Sequence, residues 1–345
     1  MPVTASGKGP AGRAATLADV ARAAGVSLAT ASKALNGRPD VGQATRLRVT
    51  QVAADLAFAP NELARSLSSG RTGSVGLLTD DLEGRFALPV MIGAEDALGE
   101  AETVALLANS RGRQDLEQRH LTVLLGRRID GLLLVGKGPE QREPLTLPAG
   151  IAAVYAYAPS SDPGDLSVVC DHHGSGVLAT EHLISLGRRR IAHLGGPLED
   201  HAIGRLAARA RARGTVDALQ AHGLPVVAGA PLHGDWLEQW GWEATDRLLD
   251  SEEVDGLVCG NDQIARGAID LLLHRGLRVP EDVAVIGFDN APQMSSLGRL
   301  PQSTIDMDLY NVGRTAARAL LNPADWTRGR HALPGHLVVR ASTAS

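Results

Sequence analysis

Lys33 stands in a short segment, Leu28-Ala-Thr-Ala-Ser-Lys-Ala-Leu35, where small and apolar residues surround one cation. A lysine can donate to guanine acceptors in the major groove of DNA, and side chains such as Leu28 and Ala29 can meet a thymine methyl. Helical spacing leaves Leu28, Ala29, Ser32 and Lys33 outside and turns Ala31 and Leu35 inward. A second set of polar residues recurs further on, each just after an apolar run of strand length. Asp80 and Asp81 follow SVGLLT, Asp171 follows SVVC, Asn261 and Asp262 follow DGLVCG, and Asp289 and Asn290 follow VAVIGF. Carboxylates and amides at strand ends can bracket the hydroxyls of a small polar molecule. Each is equally a helix cap or turn former, and the recurrence is what favours a site. Trp236 can stack its indole on a ligand ring, whereas Trp240 and Trp242 are read as packing.

The elements that position Lys33 have marked beginnings. Leu17, Val20, Ala21 and Ala24 make the apolar face of a first helix, Thr16 and Asp19 form its capping pair, Gly25 supplies the turn, and Ser27 caps the second helix. A helix-turn-helix of this kind docks in DNA; standing alone, it would more readily describe an ordinary pair of packed helices. Thr45 to Phe58, with Leu47, Val49, Val52, Ala53 and Leu56, reads as a third helix packing on the first two, so the DNA-binding domain is expected over residues 16–59, ended by Pro60. Asn61 to Leu67 is about two helical turns, too short to be stable alone, and Ser68 to Gly73 reads as a linker. The first fifteen residues read as a disordered tail. Their glycine pattern, Gly7-Lys-Gly-Pro-Ala-Gly12, has no strand before it and is a chance match to a dinucleotide-binding motif.

From Ser74 onward short apolar runs alternate with helical stretches such as Val90 to Ala101, Leu116 to Arg128 and Gln263 to Arg275. Continuous rather than alternating apolar runs mark buried parallel strands. The fold class expected is an all-α head plus an α/β body of two lobes, each a doubly wound parallel sheet, with ligands at the carboxyl ends of strands. The expected lobes are about 74–186 plus 306–322, and about 187–305 plus 323–345.

Among 345 residues, 44% are apolar and 21% charged, which is ordinary for a globular chain. Residues 1–72 hold nine Lys and Arg against four Asp and Glu, so the head carries +5 and the remainder −10 of the net −5. A basic module on an acidic body is the footprint of a protein that meets phosphates at one end. Cys170 and Cys259 have no metal-ligand spacing, and no apolar run reaches membrane-spanning length. A sugar-binding transport protein would share the body but has no use for the head. An enzyme would need a nucleophile elbow, a metal spacing or a phosphate loop, and none is found; His172 and His173 have no obvious partners, and His182 and His193 are read as structural.

The run TLADVARAAGVSLATASKALNG, followed by PNELARSL, GNDQIARGAID and VAVIGFDN, resembles the lactose-repressor (LacI/GalR) family of bacterial transcription regulators from about Thr16 to the C-terminus. The resemblance implies a cytoplasmic, nucleoid-associated homodimer that binds double-stranded operator DNA. Each subunit would carry a sensor body like a periplasmic sugar-binding protein, respond to a sugar or sugar derivative, and need no cofactor or metal. Matched by motif, Leu28, Ala29 and Lys33 are base-reading positions, with Ser27, Thr30, Ser32 and Asn36 near phosphates. Asn61, Ala64 and Leu67 fall on a hinge helix, whose leucines in the family wedge into the minor groove. The effector positions are Asp80, Phe86, Asp171, Arg211, Trp236, Asn261 and Asp289, Arg211 being placed by its spacing to Gly214. Departures from the family pattern are Ala31-Ser32-Lys33 where Val-Ser-Arg is common, Gly42 where a serine usually caps the third helix, and His172 in place of an asparagine. No leucine heptad follows Ala341, so a dimer rather than a tetramer is expected.

Overall fold

Thr16 opens the head through a reciprocal cap, its amide donating to the Asp19 carboxylate at 3.0 Å while its hydroxyl accepts from the Asp19 amide. The computed structural model describes residues 15–58, 71–292 and 300–344, in two units, one within residues 1–72 and one spanning 73–345. Helix α1 (Leu17–Ala24) ends at Gly25, whose φ of +63° is the left-handed stop that glycine adopts without strain. Ser27 accepts from the Thr30 amide at 3.1 Å and opens α2 (Leu28–Leu35). Helix α3 (Gln43–Asp55) starts at Gly42 with no side-chain cap, since glycine has none to offer.

The head's core is built from Val20, Ala21, Ala24, Ala31, Ala34, Val41, Val49 and Ala53. It corrects the sequence reading in two places. Ala34 rather than Leu35 is the second fully buried residue of α2, although Leu35 does turn inward and packs half-buried against the core, and Leu47 is 65% exposed. Short helices that cross through alanines approach too closely to admit a leucine, so the larger side chains are pushed to the rim. The segment Asn61 to Leu67, with Asn61, Ala64 and Leu67, and the tail before residue 15 lie outside the described residues.

In chain order the body begins β1 (Ser74–Thr79), α4 (Ala87–Glu100), β2 (Val104–Asn109), α5 (Gln114–Gly126), β3 (Gly131–Val135), β4 (Ala152–Ala156), β5 (Leu166–Cys170), α6 (His172–Ser185) and β6 (Ile191–Gly195). It continues α7 (Arg205–Ala221), β7 (Leu232–His233), α8 (Glu238–Ser251), β8 (Gly256–Cys259), α9 (Asp262–His274), β9 (Ala284–Phe288), β10 (Ser303–Asp306), α10 (Leu309–Leu321), β11 (Gly329–Leu333) and β12 (His336–Val338). Two six-stranded sheets result, ordered β11-β5-β4-β3-β1-β2 and β12-β10-β9-β8-β6-β7. The first is parallel throughout; in the second only β12 runs antiparallel, against β10. Every apolar run read as a strand falls on one. The strands β7, β10, β11 and β12 escaped that reading because they are short or carry polar residues, as in GRHAL.

The expected lobe boundaries are corrected at the first and last of three crossings. Helix α6 packs against α7 and the second sheet, so the first crossing comes after Cys170 rather than near residue 186. The chain returns after Asp306 for α10, which packs on α4 and the first sheet. Strand β11 then pairs with β5 in the first sheet before β12 rejoins the second, so residues 323–345 do not all belong to the second lobe. Helices α4 and α10 meet through glycines: a Cβ on Gly313 would lie 1.9 Å from the Val90 carbonyl oxygen, and one on Gly93 would lie 2.0 Å from that of Tyr310.

Candidate functional site

Between the two lobes lies a cavity of about 130 Å³ at the carboxyl ends of the strands. The first lobe supplies Arg85, Phe86, Lys137 and Tyr157, and the second supplies Ile203, Arg211, Trp236, Asn261 and Asp289. Lys137 and Tyr157 lie just past β3 and β4, Asn261 and Asp289 just past β8 and β9. Parallel strands end together on one side, which is why residues far apart in sequence converge there.

Arg211 is the buried cation of the site. It projects from α7 at 4% exposure, donates to the Gly260 carbonyl at 2.6 Å, lies 3.3 Å from Asp289 and 3.4 Å from His172 Nδ1, and stacks 4.6 Å from the Phe288 ring centre. Its Nε is buried with no partner among the described residues. Asp289 is held from both lobes, its other oxygen lying 3.2 Å from Arg85. The Asp289 backbone has a φ of +96°, a strained conformation for a residue with a side chain. Its neighbours hold it there. The Asp289 amide donates to the Ile305 carbonyl, and the Asn290 side chain is tied to Asp306 and Arg340.

Trp236 donates its indole N–H to the Ile203 carbonyl at 2.8 Å and lies over Gly196 and Gly204, where any Cβ would strike the ring. Phe86 sits 6.0 Å from Tyr157, whose hydroxyl is pushed well above its usual titration range by burial. Asn261 divides its amide: the oxygen caps α9 by accepting from Ile264, while the nitrogen donates to the Trp236 carbonyl. The same side chain is therefore a cap and a wall of the cavity. Below it Asp262 is fully buried, accepting from the Thr304 hydroxyl and the Ala291 amide, and burial raises its pKa to about 7.

Of the sequence-predicted effector residues, Phe86, Arg211, Trp236, Asn261 and Asp289 line the cavity, and Asp80 and Asp171 do not. Asp171 is the N-cap of α6, its carboxylate accepting from the Gly174 amide at 2.8 Å, so the cap reading describes it. Asp80 sits behind the lining with one oxygen buried, and burial raises its pKa against the field of Lys137. Arg85, Lys137 and Tyr157 were missed. Lys137 and Tyr157 obey the strand-end rule that picked out the acids and amides, but it was applied to those types alone.

Two histidine readings change as well. His172 is buried beside Arg211, and burial drives its pKa well down; His173 lies 2.9 Å from Asp217. Trp240 packs in the second lobe's core, but Trp242 is 36% exposed against His274, so it is not core.

On the head, Leu28 is 54% exposed, and Ser27, Ala29, Lys33 and Asn36 are also exposed; Thr30 and Ser32 are half-buried. Lys33 pairs with Asp40 at 2.5 Å. Among the described residues no group of three or more His, Cys, Asp or Glu is placed to hold a metal ion, and no helix is long and apolar enough to cross a membrane.

Comparison with known proteins bears on both units. The description "Bacterial regulatory proteins, lacI family" matches residues 16–61, and "Periplasmic binding protein-like domain" matches residues 180–343. Catabolite control protein A of Priestia megaterium is 33% identical over 310 residues, covering 88% of this chain and 91% of that protein. The solved structure of the transcriptional regulator CelR–cellobiose complex is similar at a TM-score of 0.60 and 30% identity, covering 95% of this chain and 99% of that one. The Lac repressor dimer bound to operator and the anti-inducer ONPF is similar at 0.67 and 26%, covering 96% and 100%. With identity at this level over nearly nine-tenths of its length, the chain belongs to the lacI family of bacterial regulatory proteins and is a DNA-binding regulator of transcription.

Proposed function

We propose that the chain is a cytoplasmic, nucleoid-associated repressor, without catalytic activity, whose homodimer releases operator DNA when a small sugar-like molecule occupies the cleft. The observation that carries the reading is the convergence of Phe86, Arg211, Trp236, Asn261 and Asp289 on one cavity bounded by both lobes. Arginine and aspartate side by side donate to and accept from hydroxyls, and Trp236 and Phe86 offer flat apolar walls for a sugar ring. A ligand that touches both lobes favours one arrangement of the crossings after Cys170, Asp306 and Leu333. Moving a population from mostly bound to mostly free takes about 5.5 kcal/mol of differential affinity.

On the head, Leu28, Ala29 and Lys33 read bases while Ser27, Thr30, Ser32 and Asn36 meet phosphates; Asn61, Ala64 and Leu67 make the hinge contacts. The second copy docks on an exposed apolar face of the first lobe, with Leu88 and Ile92 four residues apart on α4 and Val104 and Leu107 on the edge strand β2. The Lac repressor similarity supports this arrangement, since that protein is a dimer on its operator. The test is thermal stabilisation of the full chain against a metabolite panel, repeated with Asp289→Ala, because mass action raises stability only for a ligand the native state holds. A ligand that stabilises the wild type and not the variant supports the assignment. Equal stabilisation of both removes Asp289 from the site.

A further inference from the structure

The charges that line the cavity are unbalanced. Among the described residues Arg85, Lys137 and Arg211 face it, against Asp289 alone. Asp289 is already shared, with Arg211 at 3.3 Å on one oxygen and Arg85 at 3.2 Å on the other. Three other acids of the body are committed elsewhere. Glu140 of the first lobe accepts from the Gly204 amide of the second at 2.6 Å, and Asp80 and Asp262 do not line the cavity, both having their pKa raised by burial.

Two donors are left over. Lys137 makes no hydrogen bond or close ion pair with the described residues, acting on the buried Asp80 only through its field, and Arg211 Nε is buried and unpartnered among them. A neutral ligand that closed the cleft would strip water from these cations and return hydroxyl acceptors but no opposing charge, which is costly in a low-dielectric site. The cavity of about 130 Å³ is near the ~150 Å³ that accommodates one benzene ring in an engineered protein core.

We infer that the effector is a single-ring polyol bearing one anionic group, a carboxylate or a phosphate, met by Lys137 and Arg85 while Arg211, Asp289 and Asn261 hold its hydroxyls. This rests on the reading of the cleft as the effector site.

The experiment is thermal denaturation of the full chain with matched probes at equal concentration: glucose, glucuronate and glucose 6-phosphate; galactose and galacturonate; ribose and ribose 5-phosphate. The expected result is a rise in Tm with at least one acid or phosphate and none with its neutral parent. Whether the carboxylate or the phosphate member responds identifies the group. Lys137→Gln is expected to weaken that probe about tenfold or more, the scale of one hydrogen bond to a charged group. A neutral sugar that binds as well as its charged partner, or an unchanged affinity in Lys137→Gln, overturns the inference. If that neutral sugar's binding is lost in Asp289→Ala, the cleft is still the effector site and only the anionic requirement falls. If no probe of either kind shifts Tm, both readings fall together.

Discussion

The ammonium of Lys33 lies 2.5 Å from the carboxylate of Asp40, with both side chains about half exposed. The hydrogen bond from Lys33 holds the Asp40 carboxyl below its ordinary pKa of 3.8, so the carboxylate is ionised at neutral pH. A lysine that reads a base must first leave this partner. Asp40→Asn is therefore expected to raise affinity for both operator and random duplex, by up to about fivefold, since exposed pairs are weak and the acid also repels phosphate. Lys33→Ala is expected to cost operator affinity by about 1 to 3 kcal/mol and to relax one base position. Fluorescence anisotropy on both duplexes reads these effects; equal loss on random DNA in Lys33→Ala argues against base reading.

The three neighbouring tryptophans separate by role. Trp236 walls the cavity, Trp240 donates to the Gly195 carbonyl against the second lobe's core, and Trp242 lies tilted against His274 at the surface. Trp236→Ala is expected to weaken effector binding by about 2 kcal/mol, roughly thirtyfold. Trp240→Ala lowers Tm, and Trp242→Phe changes neither. Calorimetric titration beside thermal melts checks all three.

The glycines of the α4–α10 contact give a stability test with an internal control. Gly313→Ala forces a methyl onto the Val90 carbonyl oxygen and is expected to destabilise the body by about 2 kcal/mol or more. Gly99→Ala, on the same helix pair but with nothing within 4 Å of the new Cβ, is expected to stabilise by up to about 1 kcal/mol through helix propensity. Urea denaturation of the two variants should move in opposite directions.

Two buried groups set opposing pH dependences. Asp262 keeps its proton up to about 7 when native, against 3.8 when free, so its contribution is complete below 3.8 and lost as pH rises to about 7. His193, buried beside Thr215, refuses a proton until about 3 against 6.5 when free, so its contribution is complete above 6.5 and lost as pH falls. Asp262→Asn removes the first trend alone. Its stability is expected to climb more steeply than the wild type's between pH 4 and 7; parallel denaturation curves would show that Asp262 is ionised in the native protein.

The sequence was most readable where the signal is local. Thr16, Asp19, Gly25 and Ser27 specify their cap and turn within four residues, and the buried strands announce themselves as unbroken apolar runs. Burial in the head was less readable, because whether Leu35 or Ala34 is covered depends on how closely the helices cross. In the cleft, Asp171 and Asn261 follow strands in the same way, yet Asp171 only caps its helix while Asn261 also reaches the cavity. That difference is set by which strand lies at the centre of each sheet. The ion pair from Arg85 to Asp289 spans 204 positions, and no pattern along the chain could show it.

The central claim is that occupancy of the cleft between the lobes governs the grip of the head on DNA. Its most direct test is operator affinity of the full chain at fixed, moderate salt, with and without a ligand that raises its Tm. The account predicts a loss of at least tenfold with ligand, and no loss in Asp289→Ala, whose ligand-free affinity matches the wild type's. An operator affinity that stays the same when the cleft is filled, or that never exceeds the affinity for random duplex, would contradict it.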